Sequence, residues 1–288
     1  MSSSYIAACA MMLKPCSIDL GESHVMAIVN ITPDSFYSTS RNHTFTDIAT
    51  TIRRATSEGA TIIDIGGYST RPGAEEVSTE EEWRRVELGL RALREVDAAA
   101  VASIDTFRSE IVRRAYEEYG TFIVNDISAG EIDHAMVESV AKYSLPYIAM
   151  HMRGTPATMQ SMTEYEKGVV NGVVDYFRKR TAELESAGIH RKNIILDPGF
   201  GFAKTAEQNH ELLAGIAELR ALGYPLLIGV SRKSMIYKPL GITPEEALPG
   251  SLALAWEALR SGEAILRVHD VKETAQILKL ANYYRKHL

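Results

Sequence analysis

A single (β/α)8 barrel is the fold this sequence predicts, and three observations predict it. Eight short runs rich in Val, Ile and Leu recur along 288 residues, each is followed by a longer stretch with apolar residues three and four apart, and no linker rich in Pro, Gly or Ser divides them. One such barrel uses about 200 to 400 residues, so the length asks for no second domain. The predicted strands are His24 to Asn30, Thr61 to Gly66, Ala99 to Asp105, Thr121 to Asp126, Pro146 to His151, Asn193 to Asp197, Pro225 to Val230 and Ala264 to His269. They are continuously apolar rather than alternating, as parallel strands covered on both faces are.

Between them the helices announce their starts. Ser78 with Glu81 forms a capping-box pattern ahead of Trp83, Val86, Leu90 and Leu93; Thr205 with Gln208 and Asp270 with Glu273 repeat it. Thr243 is followed by Pro244, which suits the first helical position. Residues 1–23 are expected to precede the barrel as an extension, in the form of a hairpin closing its bottom, with 24–288 as the barrel domain.

Composition narrows the function. At 45% hydrophobic and 24% charged the chain can bury a large core, and a net charge of −6 offers no basic field for a nucleic-acid backbone. No apolar run approaches the roughly 18 residues of a membrane span. Tyr5 to Leu13 is apolar, but no Lys or Arg precedes it as a secretory leader requires. Cys9 and Cys16 are the only cysteines, too few for a disulfide framework, so a reducing, cytoplasmic setting is expected. No G-x-G-x-x-G follows the first strand and no P-loop occurs, which removes support for dinucleotide or Walker-type nucleotide binding.

In this fold chemistry belongs to the carboxyl ends of the strands. Those ends carry Asn30, Asp64, Asp105, Asn125 with Asp126, His151, Asp197, Ser231 with Arg232 and Lys233, and Arg267 with His269. Acids, amides and bases on nearly every strand end point to a site.

The segments around these residues are NITPDSF (30–36), STRPGA (69–74), SIDT (103–106), NDIS (125–128), HMRGTPATMQ (151–160), DPGFGF (197–202), SRKSM (231–235) and RVHDV (267–271). In this order, over Val25 to Val271, they resemble the dihydropteroate synthase family. The resemblance implies condensation of 6-hydroxymethyl-7,8-dihydropterin diphosphate with p-aminobenzoate, Mg2+ assisting the departing diphosphate, and a site that sulfonamides target. It implies pterin binding by Asp105, Asn125, Met150, Asp197 and Lys233, and diphosphate binding by Arg71, Arg267, His269 and Asn30. It further implies a p-aminobenzoate slot of Thr70, Pro72, Phe202 and Ser234, catalytic roles for Asp105, Lys233, Asp34 and Arg71, and Asn30 as the metal ligand.

The residue types suit those roles. A buried carboxylate such as Asp197 accepts two hydrogen bonds from a guanine-like ring edge. Asp105 can stabilise positive charge that develops on the pterin as diphosphate leaves. Arg71 and Arg267 present forked donors to phosphate oxygens. Mg2+ keeps several waters and needs few protein oxygens, so Asn30 plus diphosphate oxygens would suffice. Asp34 would order the first loop or orient the amine.

Two other readings share parts of the pattern. Methyltetrahydrofolate-dependent methyltransferases resemble the Asp105, Asn125 and Asp197 set but would not need Arg71, Lys233, Ser234 and the RVHD cluster; a non-catalytic pterin-binding module would show damaged diphosphate residues. One departure stands out: the family usually has an acidic residue where this chain has Tyr68, a change expected to touch the second loop rather than the pterin pocket. Long loops at 32–45 and 68–79 are expected to close over substrate. Finally, Leu248, Leu252, Leu254, Trp256 and Leu259 spread over more than one face of the predicted helix from Pro244 to Arg260, so a symmetric homodimer through that helix is expected.

Overall fold

The computed structural model describes residues 13, 18–32, 44–69, 76–96, 100–155 and 158–287. Its eight strands are β1 (His24–Asn30), β2 (Ile62–Gly66), β3 (Val101–Asp105), β4 (Ile123–Asp126), β5 (Tyr147–Met150), β6 (Ile194–Asp197), β7 (Leu227–Ile228) and β8 (Ile265–Val268). All paired neighbours are parallel, in the order β6-β5-β4-β3-β2-β1-β8-β7. Between β6 and β7 the ring is completed by one parallel bridge, Leu196 to Leu226, where the Leu196 N–H donates to the Pro225 carbonyl at 2.9 Å. The expected barrel is present, and its seam lies where the predicted strand 225–230 shrinks to two residues.

The helices are α1 (Phe45–Glu58), α2 (Thr79–Val96), α3 (Ser109–Tyr119), α4 (Ala135–Tyr143), α5 (Val169–Ser186), α6 (Ala206–Ala214), α7 (Ile216–Arg220), α8 (Ser234–Leu240), α9 (Leu248–Arg260) and α10 (Val271–Arg285). The Thr205–Gln208 capping box forms in full ahead of α6. Ser78 caps α2 by accepting from the Glu81 N–H at 3.2 Å, while the Glu81 carboxylate turns to Arg84 and Arg85 instead of closing the box. At Thr243 the box closes with Glu246 around a short 3-10 turn, Pro244–Glu246, and α9 starts only at Leu248. The expected Asp270–Glu273 box does not form: Asp270 makes no side-chain cap and spends both carboxylate oxygens on Arg232, at 2.7 and 2.9 Å. An ionic partner outweighs a neutral N–H.

Successive side chains on a strand point to opposite faces, so every second residue enters the barrel. Met26, Ile62, Val101, Ile123, Ile148, Ile195, Leu227 and Ile265, one from each strand, form an apolar cluster at the amino end, against which Ile18 and Leu20 pack. Full burial of such a side chain stabilises by roughly 1.5–3 kcal/mol, so this end carries stability. Two residues further along, six of the eight strands carry Asp64, Ser103, Asn125, Met150, Asp197 and Arg267, while β1 has Ile28 and β7 is followed by Gly229. Among the described residues, no helix is long and apolar enough to cross a membrane.

Candidate active site

The polar layer is held by a network centred on a carboxylate that strand-end reasoning noted without assigning it a role. Asp64, fully buried, accepts from Ser103 Oγ at 2.6 Å, Asn125 Nδ2 at 3.1 Å and Arg267 Nε at 2.7 Å. Arg267 then spans the barrel, its Nη2 donating to Asp105 Oδ2 at 2.7 Å. Asp105 therefore does not cap α3, whose N-cap is Arg108. The register places Asn125 inward and its neighbour Asp126 outward. Asp126 is fully buried behind β4, where Ser128, the Gly130 N–H and Tyr147 Oη saturate its carboxylate. The strand-end pair Asn125–Asp126 thus divides into one site residue and one structural residue.

Burial pushes the Asp105 carboxyl up to about 7, with Arg267 opposing and the charges of Asp64, Glu82 and Asp126 adding to the rise. Burial works against the Arg267 charge, but Asp64 and Asp105 outweigh it and hold the guanidinium firmly protonated. Asp197 is also raised by burial, against the opposing charge of Lys233. Lys233 is lowered by burial to about 8, with Asp197 opposing. Carboxylates and cations in this layer are mutually dependent, as expected where water is scarce.

Local backbone places the cations. Arg232 has φ +55°, an unfavourable left-handed conformation for a residue with a Cβ. It is held by its N–H to Ser251 Oγ at 2.9 Å and by its guanidinium on Asp270. This turn puts Lys233 at the N-cap of α8 and Ser234 at its first residue. The Lys233 ammonium donates to the Phe200 carbonyl and lies 5.2 Å from the Phe202 ring centroid. His269 is exposed at the carboxyl end of β8, with Nδ1 3.1 Å from Ser231 Oγ. Asn30, half-buried at the end of β1, leans over Gly66: a Cβ there would meet Asn30 Oδ1 at 2.9 Å and Asp105 Oδ2 at 3.8 Å.

Beside the charges lies an apolar wall. Ile127, Met150, Met152, Met159 and Ala203 form one cluster, with Phe107 and Phe202 packed against it. Met150 and Phe202 were expected; Ile127, Phe107, Met152 and Met159 were not, because nothing in their sequence neighbourhood separates them from ordinary core. Tyr68 meets Phe107 edge-on, ring centroids 5.2 Å apart, so the departure at Tyr68 reaches the border of this wall rather than the second loop alone. The structure thus brings Asp105, Asn125, Met150, Asp197, Lys233, Phe202 and Arg267 to one end of the barrel with Asn30, Ser234 and His269 on its rim. Asp34, Thr70, Arg71 and Pro72 lie outside the described residues, as do most of both long loops.

Sequence and structure comparisons agree on what this arrangement is. Residues 26–269 match the family model described as "Pterin binding enzyme". The dihydropteroate synthase of Escherichia coli (strain K12) is 43% identical over 264 residues, 92% of each chain. The crystal structure of the Yersinia pestis dihydropteroate synthase with a sulfonamide drug complex superposes with a TM-score of 0.88 at 36% identity, covering 96% of this chain and 98% of that one. A Xanthomonas albilineans dihydropteroate synthase in complex with 7,8-dihydropteroate gives a TM-score of 0.81 at 34% identity, covering 93% and 95%. The chain belongs to the pterin-binding enzyme family and, within it, to the dihydropteroate synthases.

Proposed function

We propose that this barrel mouth joins 6-hydroxymethyl-7,8-dihydropterin diphosphate to p-aminobenzoate, giving 7,8-dihydropteroate and pyrophosphate. The observation that carries the reading is Asp105, a carboxylate paired with Arg267, in register with Asn125 on the neighbouring strand and at the same barrel end as Asp197 and the Met150 wall. Asp197 accepts from the amino and ring N–H edge of the pterin, Asn125 adds an amide, and Lys233 donates to ring acceptors. Met150 and Phe202 cover the faces of the ring system. As the bond from the pterin methylene to the diphosphate oxygen breaks, its electron pair leaves with the diphosphate, and the ionised Asp105 stabilises the positive charge left on the pterin. The p-aminobenzoate nitrogen then forms the new bond with its lone pair and loses a proton.

His269 and Asn30 on the rim, with Arg267 beneath them, suit the diphosphate. Arg71 and Asp34 complete this end, and Thr70, Pro72, Phe202 and Ser234 the p-aminobenzoate slot, on the strength of the family resemblance. The donor set suits Mg2+ as a guest of the diphosphate: Asn30 offers a hard carboxamide oxygen at the rim, and no group of three or more His, Cys, Asp or Glu that could hold a metal occurs among the described residues. When bound, Mg2+ neutralises charge on the leaving diphosphate. The Yersinia relative's sulfonamide complex supports the same slot as a sulfonamide target here.

We place the enzyme in the cytoplasm and 1–23 as an extension to the barrel at 24–288, consistent with Ile18 and Leu20 packing on its amino end. We further place a homodimer at the 244–260 region. Leu248, Leu252 and Trp256 remain half-exposed along α9, and Leu280, Tyr283 and Tyr284 are exposed on the adjoining α10. A monomer by light scattering at micromolar concentration would refute that interface.

The decisive experiment mixes protein, pterin diphosphate, p-aminobenzoate and Mg2+ and measures dihydropteroate. Asp105→Asn is expected to lose roughly 100-fold or more in kcat while still binding the pterin substrate. No product from folded protein, or normal turnover by Asp105→Asn, would overturn the reading.

A further inference from the structure

The turn after β6 carries the two side chains that flank the proposed pterin pocket, Asp197 at its start and Phe202 near its end. Gly199, Gly201 and Ala203 all have positive φ, at +69°, +82° and +52°, so the chain reverses its peptide planes repeatedly in a few residues. Its N–H groups are held within the turn and by neighbouring side chains: Gly199 N–H donates to Asp197 Oδ1 at 2.8 Å, Gly201 N–H to Asn209 Oδ1 at 2.7 Å and Phe202 N–H to the Gly199 carbonyl at 3.1 Å. The carbonyls of Gly199 and Phe202 instead converge on Lys204 Nζ, each at 3.0 Å.

Lys204 is 4% exposed, and the third acceptor facing its Nζ is His151 Nδ1 at 3.0 Å. Burial lowers Lys204 to about 7 against the opposing charge of Asp197; in its protonated form the ammonium has three N–H donors, and these three acceptors use all of them. For Nδ1 to accept, His151 must be neutral with its proton on Nε2. Burial at 2% exposure and the adjacent Lys204 charge both favour that form, holding the imidazole well below its usual range. Tyr176 packs edge-on to the ring at 4.9 Å between centroids, so its orientation is set by packing. An unpaired Lys or His is seldom buried; here each is the other's partner. The sequence shows a lysine just past a glycine-rich turn, a place where a solvated charge is ordinary, and gives no sign that His151 lies against it.

We propose that Lys204 is a positioning residue of the pterin pocket: held by neutral His151, its ammonium pins the Gly199 and Phe202 carbonyls and thereby fixes the Asp197 carboxylate and the Phe202 ring relative to each other. The coupling is direct at Gly199, whose N–H holds Asp197 on one side of its Cα and whose carbonyl is held by Lys204 on the other. Lys204 itself touches no substrate. This inference rests on reading Asp197 as the partner of the pterin edge.

The test compares Lys204→Met, which keeps the stem and removes every donor, with His151→Leu and His151→Asn, the latter retaining an oxygen acceptor. Pterin diphosphate affinity, KM and kcat are measured for each, with melting temperature and pyrophosphate binding as references, and Asp197→Asn as control. Lys204→Met and His151→Leu are expected to raise KM and Kd for the pterin substrate about tenfold, with kcat and pyrophosphate binding changed less than about threefold, and His151→Asn to recover most of the loss. If Asp197→Asn weakens pterin binding and Lys204→Met does not, the proposal is wrong. Losses of pterin and pyrophosphate binding in equal measure would show a general structural role and also overturn it. Should Lys204→Met fail to fold, equal pterin affinities in His151→Leu, His151→Asn and the unmodified protein would do the same. No effect of Asp197→Asn would instead remove the pterin assignment beneath it.

Discussion

Arg267→Met removes the guanidinium that joins the two inward carboxylates. Its cost follows from geometry: Arg267 donates at 2.7 Å to both Asp64 and Asp105, Asp64 is fully buried, and Asp105 is 16% exposed. Breaking a buried pair by deleting one partner destabilises by about 3–5 kcal/mol, because the remaining charge keeps its desolvation penalty and loses its compensation. For a chain of this size that corresponds to a fall of roughly 6–20 °C in melting temperature. The pH dependence sharpens the test. Asp105 titrates near 7 in the fold against an ordinary carboxyl value of 3.8, so between those values the folded state binds the extra proton and stability falls as pH rises. Without Arg267 the carboxyl moves further up, and the penalty continues to grow above 7. Relative to the unmodified protein, the deficit should exceed its pH 5 value by up to about 1.4 kcal/mol at pH 8, the worth of the single unit between 7 and 8. Thermal and denaturant unfolding at both pH values measure it. A deficit below about 1 kcal/mol at pH 8, or one no larger than at pH 5, would refute the view that Arg267 compensates Asp105.

The same ionisations predict a bell-shaped kcat/KM for the pterin substrate, rising as Asp105 loses its proton near 7 and falling as Lys233 loses its own near 8; a flat profile from pH 6 to 9 contradicts the assigned roles. Gly199→Ala would drive a Cβ into the His151 carbonyl oxygen at a φ of +69°, and should cost at least about 2 kcal/mol in denaturant unfolding together with loss of pterin binding. Tyr147→Phe removes a 2.8 Å donor from buried Asp126 and should cost about 1–3 kcal/mol while leaving kcat nearly unchanged, since Asp126 faces away from the barrel interior. A large kcat loss with normal stability would show that Asp126 reaches the site.

The strands were legible because parallel strands covered on both faces are unbroken apolar runs, and their polar ends stood out against them. Which polar residue faces inward was not legible from composition, since Asn125 and Asp126 are equally polar and differ only in the phase of a two-residue alternation. Counting that phase from Ile62 would have placed Asp64 inside the barrel, and counting it from Ile123 would have separated Asn125 from Asp126. Lys204 could not be found this way: its burial depends on a turn with three left-handed residues and on a histidine 53 positions away. The Asp270 cap failed for a related reason, because Arg232 reaches it across 38 positions. Local signals predict local bonds until a distant charge competes for the same oxygen.

Tyr68 lies beside another such competition. Arg108 pairs with fully buried Glu82 at 2.6 Å, donates to the Val77 carbonyl at 2.7 Å, and lies over the rings of both Tyr68 and Phe107, at 5.2 and 5.3 Å. Glu82 also accepts from Thr106 at 2.6 Å, and burial raises its carboxyl despite that bond and the Arg108 charge. An acid at 68 would be a second claimant on one guanidinium whose charge Glu82 already requires. An aromatic ring makes no such claim, because it meets the guanidinium with its π face and packs against the Phe107 ring at an interplanar angle of 82°. Residues 68 and 77, which flank 70–75, are therefore both tied to Arg108, and the Phe107 ring continues that tie to the Met150 wall. Tyr68, Phe107 and Arg108 thus form one set, in which position 68 meets the guanidinium without placing a second carboxylate beside Glu82.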